Sequence, residues 1–381
     1  MRTYKFRLYP TKKQEETLFK HFDLCRFIYN QLLAELSNNN TEKHIFHYIT
    51  VLKKKQPELK QVYSKTLQNE AKKLFSNFKK LISMKKKGIK VGKLRFKGQE
   101  RFKTIHYNQS GFKLINQNTR YNILHLSKIG DIKILQHREI EGKIKSIIIK
   151  RKTDSWEAHI VTDSKYQLKK GNNIIGIDLG VTSFLTDNNG NKISNPLYYK
   201  QSLEKLKLLQ QNLSKKKRGS NNRYKTKIQI TKLHEYIVQQ RNDFLHKITT
   251  KLIKENKFMG VEKLDIRNMK ISFYNSRNIN DSSWGKFLSM LDNKAESAGC
   301  QVVKVNPVNT TKECNKCGNI QDMPIWQRQY NCQRCGMSMD RDTNSAKVIL
   351  NRALEQGTVE TNNSLSVKQE ALTSRVVHKL I

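Results

Sequence analysis

Four cysteines towards the C-terminal end constrain this chain more than any other feature. They read Cys314-Asn-Lys-Cys317 and, after a spacer, Cys332-Gln-Arg-Cys335. Each C-x-x-C can present two thiolates from one tight turn, and two such turns supply the four soft ligands of a tetrahedral zinc. Gly318 and Gly336 follow the pairs and ease the backbone around the sulfurs. An iron–sulfur or redox centre is the competing assignment. A closed four-cysteine zinc has no open coordination position, so its role is structural, not catalytic. Cys300 lies outside the pattern and is left structural, and Cys25 reads as a core residue of a helix.

Acids follow the second cysteine pair at once, in Asp340-Arg-Asp342-Thr-Asn-Ser-Ala. Two more acids stand in telling places. Asp178 sits inside the apolar run Ile-Gly-Ile-Asp-Leu-Gly, where a carboxylate is costly unless paired or metal-bound. Glu262 closes a similar run, Met-Gly-Val-Glu-Lys-Leu. Taken singly, Asp342 reads equally well as a helix cap and Glu262 as a surface acid after a strand. Asp178, Glu262 and Asp342 together suit phosphodiester hydrolysis, in which carboxylates hold two Mg²⁺ ions about 4 Å apart. One metal activates the attacking water and the other stabilises the leaving oxygen.

Charge points to the same substrate class. Lys and Arg number 73 against 32 Asp and Glu, a net +41 spread through most of the 381 residues. Such a field seeks polyanions, nucleic acid first among them. A ribosomal protein or a membrane-surface protein would share this composition. No stretch approaches eighteen apolar residues, so nothing is expected to span a bilayer. Met1-Arg-Thr-Tyr-Lys-Phe lacks an apolar signal core, so a cytoplasmic location with reduced cysteines is expected.

Periodicity divides the chain. Residues Tyr4 to Tyr9 alternate as a strand, Pro10 stops it, and Thr11 with Gln14 forms a capping box for a helix carrying Leu18, Phe22, Cys25, Tyr29 and Leu32. A polar loop at Asn38 to Asn40 ends that segment. A second helix carries Leu67, Ala71, Leu74, Phe78 and Leu81 on one face. Lys72, Lys73, Lys79 and Lys80 lie on the other, a face that is either merely solvated or turned to phosphates. From Gly92 the period becomes two. Short strands are expected at Leu94-Arg-Phe, Tyr107, 123–126, 132–135, 144–149 and 156–161, making a small β-barrel or folded sheet that the first strand can join. Lys and Arg alternate there with Tyr and Phe, which suits base stacking, although half-buried strands look the same. A new unit opens near Gly171, with strands around Asp178 and Glu262. Two leucine- and isoleucine-marked helices lie between them, joined by the basic tip Ser214-Lys-Lys-Lys-Arg-Gly. A helix over 284–298, a strand over 301–305 and a helix from Asp342 complete it. The polar tail is expected to be disordered.

Gly176-Ile-Asp-Leu-Gly-Val-Thr, Val261-Glu-Lys-Leu and Asp340-Arg-Asp-Thr-Asn-Ser-Ala, with the cysteine ribbon before the last, resemble the split RuvC-like nuclease of the TnpB family. These are transposon-encoded, RNA-guided DNA nucleases related to compact type V CRISPR effectors. The opening Tyr4-Lys-Phe-Arg-Leu-Tyr-Pro and the segment Val305-Asn-Pro-Val-Asn-Thr-Thr-Lys-Glu-Cys are also similar to that family, and the resemblance covers residues 1 to about 352. It implies a multidomain α+β chain. A wedge β-barrel (1–10 and 90–170) would hold an inserted helical recognition lobe (11–89). An RNase H-like RuvC mixed α/β domain would follow (171–306 and 338–352, with a helical hairpin at 199–256), carrying an inserted zinc ribbon (307–337). The tail would be 353–381. It implies Asp178, Glu262 and Asp342 as catalytic, Mg²⁺-binding acids, with Asp340 structural, and Cys314, Cys317, Cys332 and Cys335 as ligands of one zinc. The implied partners are a guide RNA from the transposon end and double-stranded target DNA beside a short motif, with no membrane. Ser345 stands where the family usually has Ala. Three other readings remain: a guide-directed repressor without cleavage, a general basic zinc-ribbon RNA-binding protein, and a transposase acting directly on transposon ends.

Overall fold

The computed structural model describes residues 1–36, 42–117, 119–164, 168–269, 276–324 and 326–357. The Asn38 to Asn40 loop and tail residues 358–381 lie outside the described residues. Two compact units emerge, Met1–Lys165 and Tyr166–Ile381.

The first unit begins with β1 (Arg2–Tyr9), in which Tyr4, Phe6 and Leu8 alternate into the core. Thr11 then caps α1 (Lys12–Glu35). Its hydroxyl accepts from the Gln14 N–H, and its own N–H donates to Gln14 Oε1 at 3.0 Å, the expected capping box. Next comes α2 (Glu42–Lys55), a helix that the sequence reading did not include. Its apolar stripe is short, with Ile45, Ile49 and Leu52 buried among histidines and lysines. The helix α3 (Ser64–Lys86) buries Leu67, Ala71 and Leu74. Strands β2 (Thr104–Asn108), β3 (Phe112–Ile115), β4 (Asn122–Leu126), β5 (Gly130–Leu135), β6 (Ile144–Arg151) and β7 (Trp156–Thr162) complete the unit. They form one seven-stranded sheet in the order β2-β6-β7-β1-β5-β4-β3. The strands at its two edges, β2 and β3, are joined by residues 109–111 alone, so the sheet nearly closes on itself as a barrel. No strand forms at Leu94-Arg-Phe. There the backbone finds its partners on a helix: the Lys97 N–H donates to Asn30 Oδ1 at 2.9 Å and the Lys97 carbonyl accepts from Asn30 Nδ2 at 3.1 Å. The Trp156 indole N–H donates to Glu15 Oε1 at 2.6 Å and ties the barrel to α1.

The second unit is built on β8 (Asn173–Asp178), β9 (Ser183–Asp187), β10 (Lys192–Ser194), β11 (Asn256–Glu262) and β12 (Gln301–Val305). Their order is β10-β9-β8-β11-β12. The strands β8, β11 and β12 are parallel, whereas β9 and β10 run antiparallel as a meander. Between β10 and β11 lie α4 (Tyr198–Gln201), α5 (Leu203–Ser214) and the 35-residue α6 (Asn221–Glu255), with the basic tip joining α5 to α6. Between β11 and β12 come α7 (Ile266–Met269), α8 (Ser276–Ser282) and α9 (Trp284–Ala298). A hairpin of β13 (Gln329–Asn331) and β14 (Ser338–Asp340) then runs straight into α10 (residues 341–357). The expected tail thus starts later than 353, because the helix continues to 357.

Alternation along the parallel strands sorts their residues onto two faces. Ile175, Ile177, Met259 and Val261 pack with Leu245, Ile248 and Leu252 of α6 and with Phe287 and Leu291 of α9. The opposite face carries Gly176 and Gly260, and there α10 lies directly on the sheet. A methyl group at Gly176 would stand 2.1 Å from the Ala346 carbonyl oxygen, and one at Gly260 would stand 2.7 Å from Ala353 Cβ. Among the described residues no helix is long and apolar enough to cross a membrane.

Candidate metal centres

The acids lie on the face that α10 covers. Asp178 is two residues beyond Gly176 and Glu262 two beyond Gly260, so both share the glycines' side of the sheet. The β8–β11 register pairs Ile177 with Val261, which sets Asp178 and Glu262 side by side where two parallel strands end. Neighbouring strands run about 4.8 Å apart, and the carboxyl ends of parallel strands are where α/β proteins place ligands. Asp342 arrives from the first turn of α10, on the helix that lies across those glycines.

Electrostatics records this crowding. Asp178 is half-buried, and its carboxyl is held well above the ordinary carboxylate range, first by desolvation, then by the charges of Glu262 and Asp342. Arg341 opposes that shift. Glu262 is buried, and burial pushes its carboxyl up, while the Thr310 hydroxyl and Arg352 pull it down. Thr310 Oγ1 lies 2.5 Å from Glu262 Oε1. The guanidinium of Arg341 donates to Asp342 Oδ1 at 3.3 Å and to the Gln327 carbonyl at 3.2 Å. A carboxyl raised by burial and by neighbouring carboxylates, as Asp178 is, is stabilised in its ionised form by a cation beside it, so the residues present fit divalent metal.

Asp340 plays a different part. It accepts from the Thr343 N–H at 3.1 Å and from Lys192 Nζ at 2.7 Å, so it caps α10. Partial burial would raise its carboxyl, but Lys192 and Thr343 hold it below the ordinary range. The helix cap in Asp-Arg-Asp is therefore Asp340, and Asp342 is left free of that duty.

The four cysteines come together. The sulfurs of Cys314, Cys317, Cys332 and Cys335 all lie within 4.8 Å of one another. Cys314 and Cys335 are 3.7 Å apart and Cys317 and Cys332 are 3.6 Å apart. A disulfide needs about 2.05 Å, so these are separate thiols. A tetrahedral metal bound about 2.3 Å from each sulfur would separate them by about 3.8 Å, so the cluster fits zinc. Gly318 and Gly336 adopt φ of +70° and +68°, and their N–H groups return to the carbonyls of Cys314 and Cys332. Those are the left-handed turns that glycine makes without strain. Among the described residues this is the one group of three or more ligating side chains so closely gathered. The three acids are neighbours but not as tightly drawn in.

Several residues around the acids escaped the sequence reading. Thr310, Arg341 and Asn344 lie inside the quoted segments 305–314 and 340–346 but were given no role there, and Arg352 lies in no motif. The glycines did leave a signal: Gly-x-Asp and Gly-x-Glu each place a residue without a side chain on the same face as an acid, which marks where a helix can lie on the sheet.

The family described as "Probable transposase" matches residues 158–272, the "Cas12f1-like, TNB domain" matches 284–349, and a "Helix-turn-helix domain" matches 1–43. A relative from Streptomyces pristinaespiralis, provisionally named an RNA-guided DNA endonuclease, is 27% identical over 363 residues, covering 92% of this chain and 88% of its own. Another from Escherichia coli strain K12, provisionally named RNA-guided DNA endonuclease InsQ, is 28% identical over 379 residues, covering 92% of each chain. A solved cryo-EM structure of a Cas12f1–sgRNA–target DNA complex is similar in fold, with TM-score 0.62 at 19% identity, over 89% of this chain and 83% of that one. The fold and the matches define a class, the transposase-related proteins that share a C-terminal module with Cas12f1-like chains. Within that class the chain is similar to the TnpB family.

Proposed function

We propose that this protein is an RNA-guided DNA endonuclease, in which a bound guide RNA pairs with complementary DNA beside a short motif and one RuvC-like site hydrolyses the phosphodiester. The observation that carries the reading is the convergence of Asp178, Glu262 and Asp342, from three distant parts of the sequence, at one end of a parallel sheet in a chain of net charge +41. The strand order β10-β9-β8-β11-β12, a three-stranded meander extended by two parallel strands, supports an RNase H-like assignment for the second unit. The names of the two near-full-length relatives support the activity.

In this reading Asp178, Glu262 and Asp342 would hold Mg²⁺, two ions by the usual arrangement for this chemistry. Bound there, Mg²⁺ would supply positive charge to the reacting phosphate and its leaving oxygen. The chain's own residues prepare the place. Gly176 and Gly260 let α10 set Asp342 against the sheet, and Arg341 fixes the Asp342 carboxylate. Thr310 donates to Glu262. The first unit and the basic tip Lys215-Lys-Lys-Arg218 supply the cationic surface that nucleic acid needs. Zinc in the four-cysteine cluster would hold the ribbon folded and take no part in the chemistry.

The test is to express the protein with its native flanking DNA and sequence the RNA that co-purifies. One discrete RNA ending in a variable segment is expected, and it supplies the guide for a cleavage assay. Bulk ribosomal or random RNA alone would sink the proposal.

A further inference from the structure

The segment that leads into the zinc ribbon touches the acid cluster as well as the cysteines. Residues 306–315 are strapped to α10 at two places. At one, Arg352 donates to the carbonyls of Asn306 at 2.9 Å and Val308 at 2.8 Å and pairs with Glu313. At the other, Asn344, fully buried in the first turns of α10, donates to the Glu313 carbonyl at 2.7 Å. Its Oδ1 accepts from the Asn315 N–H at 3.1 Å and the Asn315 side chain at 2.7 Å. Asn315 lies inside the first cysteine turn, next to Cys314. Between these two fastenings stands Thr310, 2% exposed, with its hydroxyl 2.5 Å from Glu262 Oε1 and 3.1 Å from the Pro307 carbonyl.

The Thr310 hydroxyl donates to the Glu262 carboxylate from a buried position and so fixes the direction of that side chain. The turn that holds it is built for this: Asn309 takes φ of +61°, and the Lys312 and Glu313 N–H groups both return to the Asn309 carbonyl.

We propose that Thr310 is a positioning residue for Glu262, and that through Thr310 the strap 306–315 makes the set of this carboxylate depend on the folded cysteine ribbon. The inference rests on the reading of Asp178, Glu262 and Asp342 as the metal-holding acids. It gives the ribbon a duty at the reacting centre itself, in addition to any contact it makes with nucleic acid. Partners of metal-ligating groups generally change metal affinity or activity by about 10–100-fold when removed.

The experiment uses the full chain purified with its co-expressed guide RNA, in four forms: wild type, Thr310→Val, Thr310→Ser and Asp178→Ala. Valine keeps the shape and removes the hydroxyl, whereas serine keeps the hydroxyl. Two readouts follow Mg²⁺ concentration: the rise in Tm, which needs no activity, and the rate of DNA cleavage. Thr310→Val is expected to need roughly 10–100-fold more Mg²⁺ in both. It should retain RNA and bind target DNA as wild type does, and Thr310→Ser should track wild type. The proposal is overturned if Thr310→Val shows the wild-type Mg²⁺ requirement while Asp178→Ala is inactive. It is equally overturned if Thr310→Ser is as impaired as Thr310→Val, because packing and not the hydroxyl would then matter, or if Thr310→Val fails to fold. Cleavage by Asp178→Ala would instead remove the underlying reading of the acids.

Discussion

The substitution Gly176→Ala probes how the acid cluster is assembled without touching any acid. The added methyl would stand 2.1 Å from the Ala346 carbonyl oxygen and 2.7 Å from Leu350 Cβ. Ordinary contact begins near 3.4 Å, so about 1.3 Å of separation must be found between β8 and α10. The obstacle is backbone, which cannot rotate aside as a flexible side chain would. Overpacking of this kind costs about 1–3 kcal/mol, a fall in Tm of roughly 2–12 °C for a domain of this size. The functional loss should be larger than the stability loss. The helix that must move carries Asp342, and misplacement of a reacting group by about 1 Å can lower a rate by about 10²-fold. Thermal denaturation and guided cleavage would be measured on Gly176→Ala and on Gly92→Ala, whose methyl would meet nothing within 4 Å. Gly92→Ala should behave as wild type. If Gly176→Ala melted and cleaved like wild type, the claim that α10 lies on bare backbone to set Asp342 would be refuted.

Further outcomes follow from the same geometry. Asp178→Asn removes a charge from a crowded cluster, so in metal-free buffer at neutral pH it should melt above wild type. The sign follows from the raised carboxyls: a folded-state pKa above the unfolded one favours folding while the group is protonated, and that stability is lost as pH climbs from the ordinary carboxylate range through the raised value. Mg²⁺ should then stabilise wild type and do little for Asp178→Asn, and an equal response of the two by calorimetry would contradict this. Cys332→Ser should lower folded yield and zinc content together, because structural zinc contributes folding energy, and normal stability without zinc would count against the ribbon assignment. Binding of RNA should weaken by about 10³–10⁵-fold between roughly 50 and 200 mM salt if some six to ten phosphates are neutralised, and a flat salt titration would argue against a phosphate-dominated interface.

Much of this fold was legible in the residues. Alternation gave β1, β4 to β7 and β12, the Thr11–Gln14 pair gave the start of α1, and apolar spacing gave α3, α6 and α9. These signals are local, and local physics decides them. The helix α2 was missed because Ile45, Ile49 and Leu52 are a thin stripe whose burial depends on α3 and the turn before it. The strand expected at Leu94-Arg-Phe was lost because Asn30, far off in sequence, takes the backbone groups at Lys97 that a neighbouring strand would have paired. The acids stood out because carboxylates in apolar runs need a reason to be there. Their neighbours did not, because Thr310, Arg341, Asn344 and Arg352 gain meaning only from which backbone or carboxylate each reaches. That Asp340 caps α10 likewise needed the start of that helix and the position of Lys192.

The central claim is that one cluster of three acids performs guided DNA cleavage. Its most direct test is cleavage by the purified protein carrying its co-purified RNA, on DNA complementary to the variable segment, with Mg²⁺, for wild type and Asp178→Ala side by side. Wild type should cut the matched DNA, leave mismatched DNA intact and lose activity on chelation, while Asp178→Ala binds the same DNA without cutting it. Cleavage by Asp178→Ala at the wild-type rate, or binding without any cleavage by wild type, would contradict it.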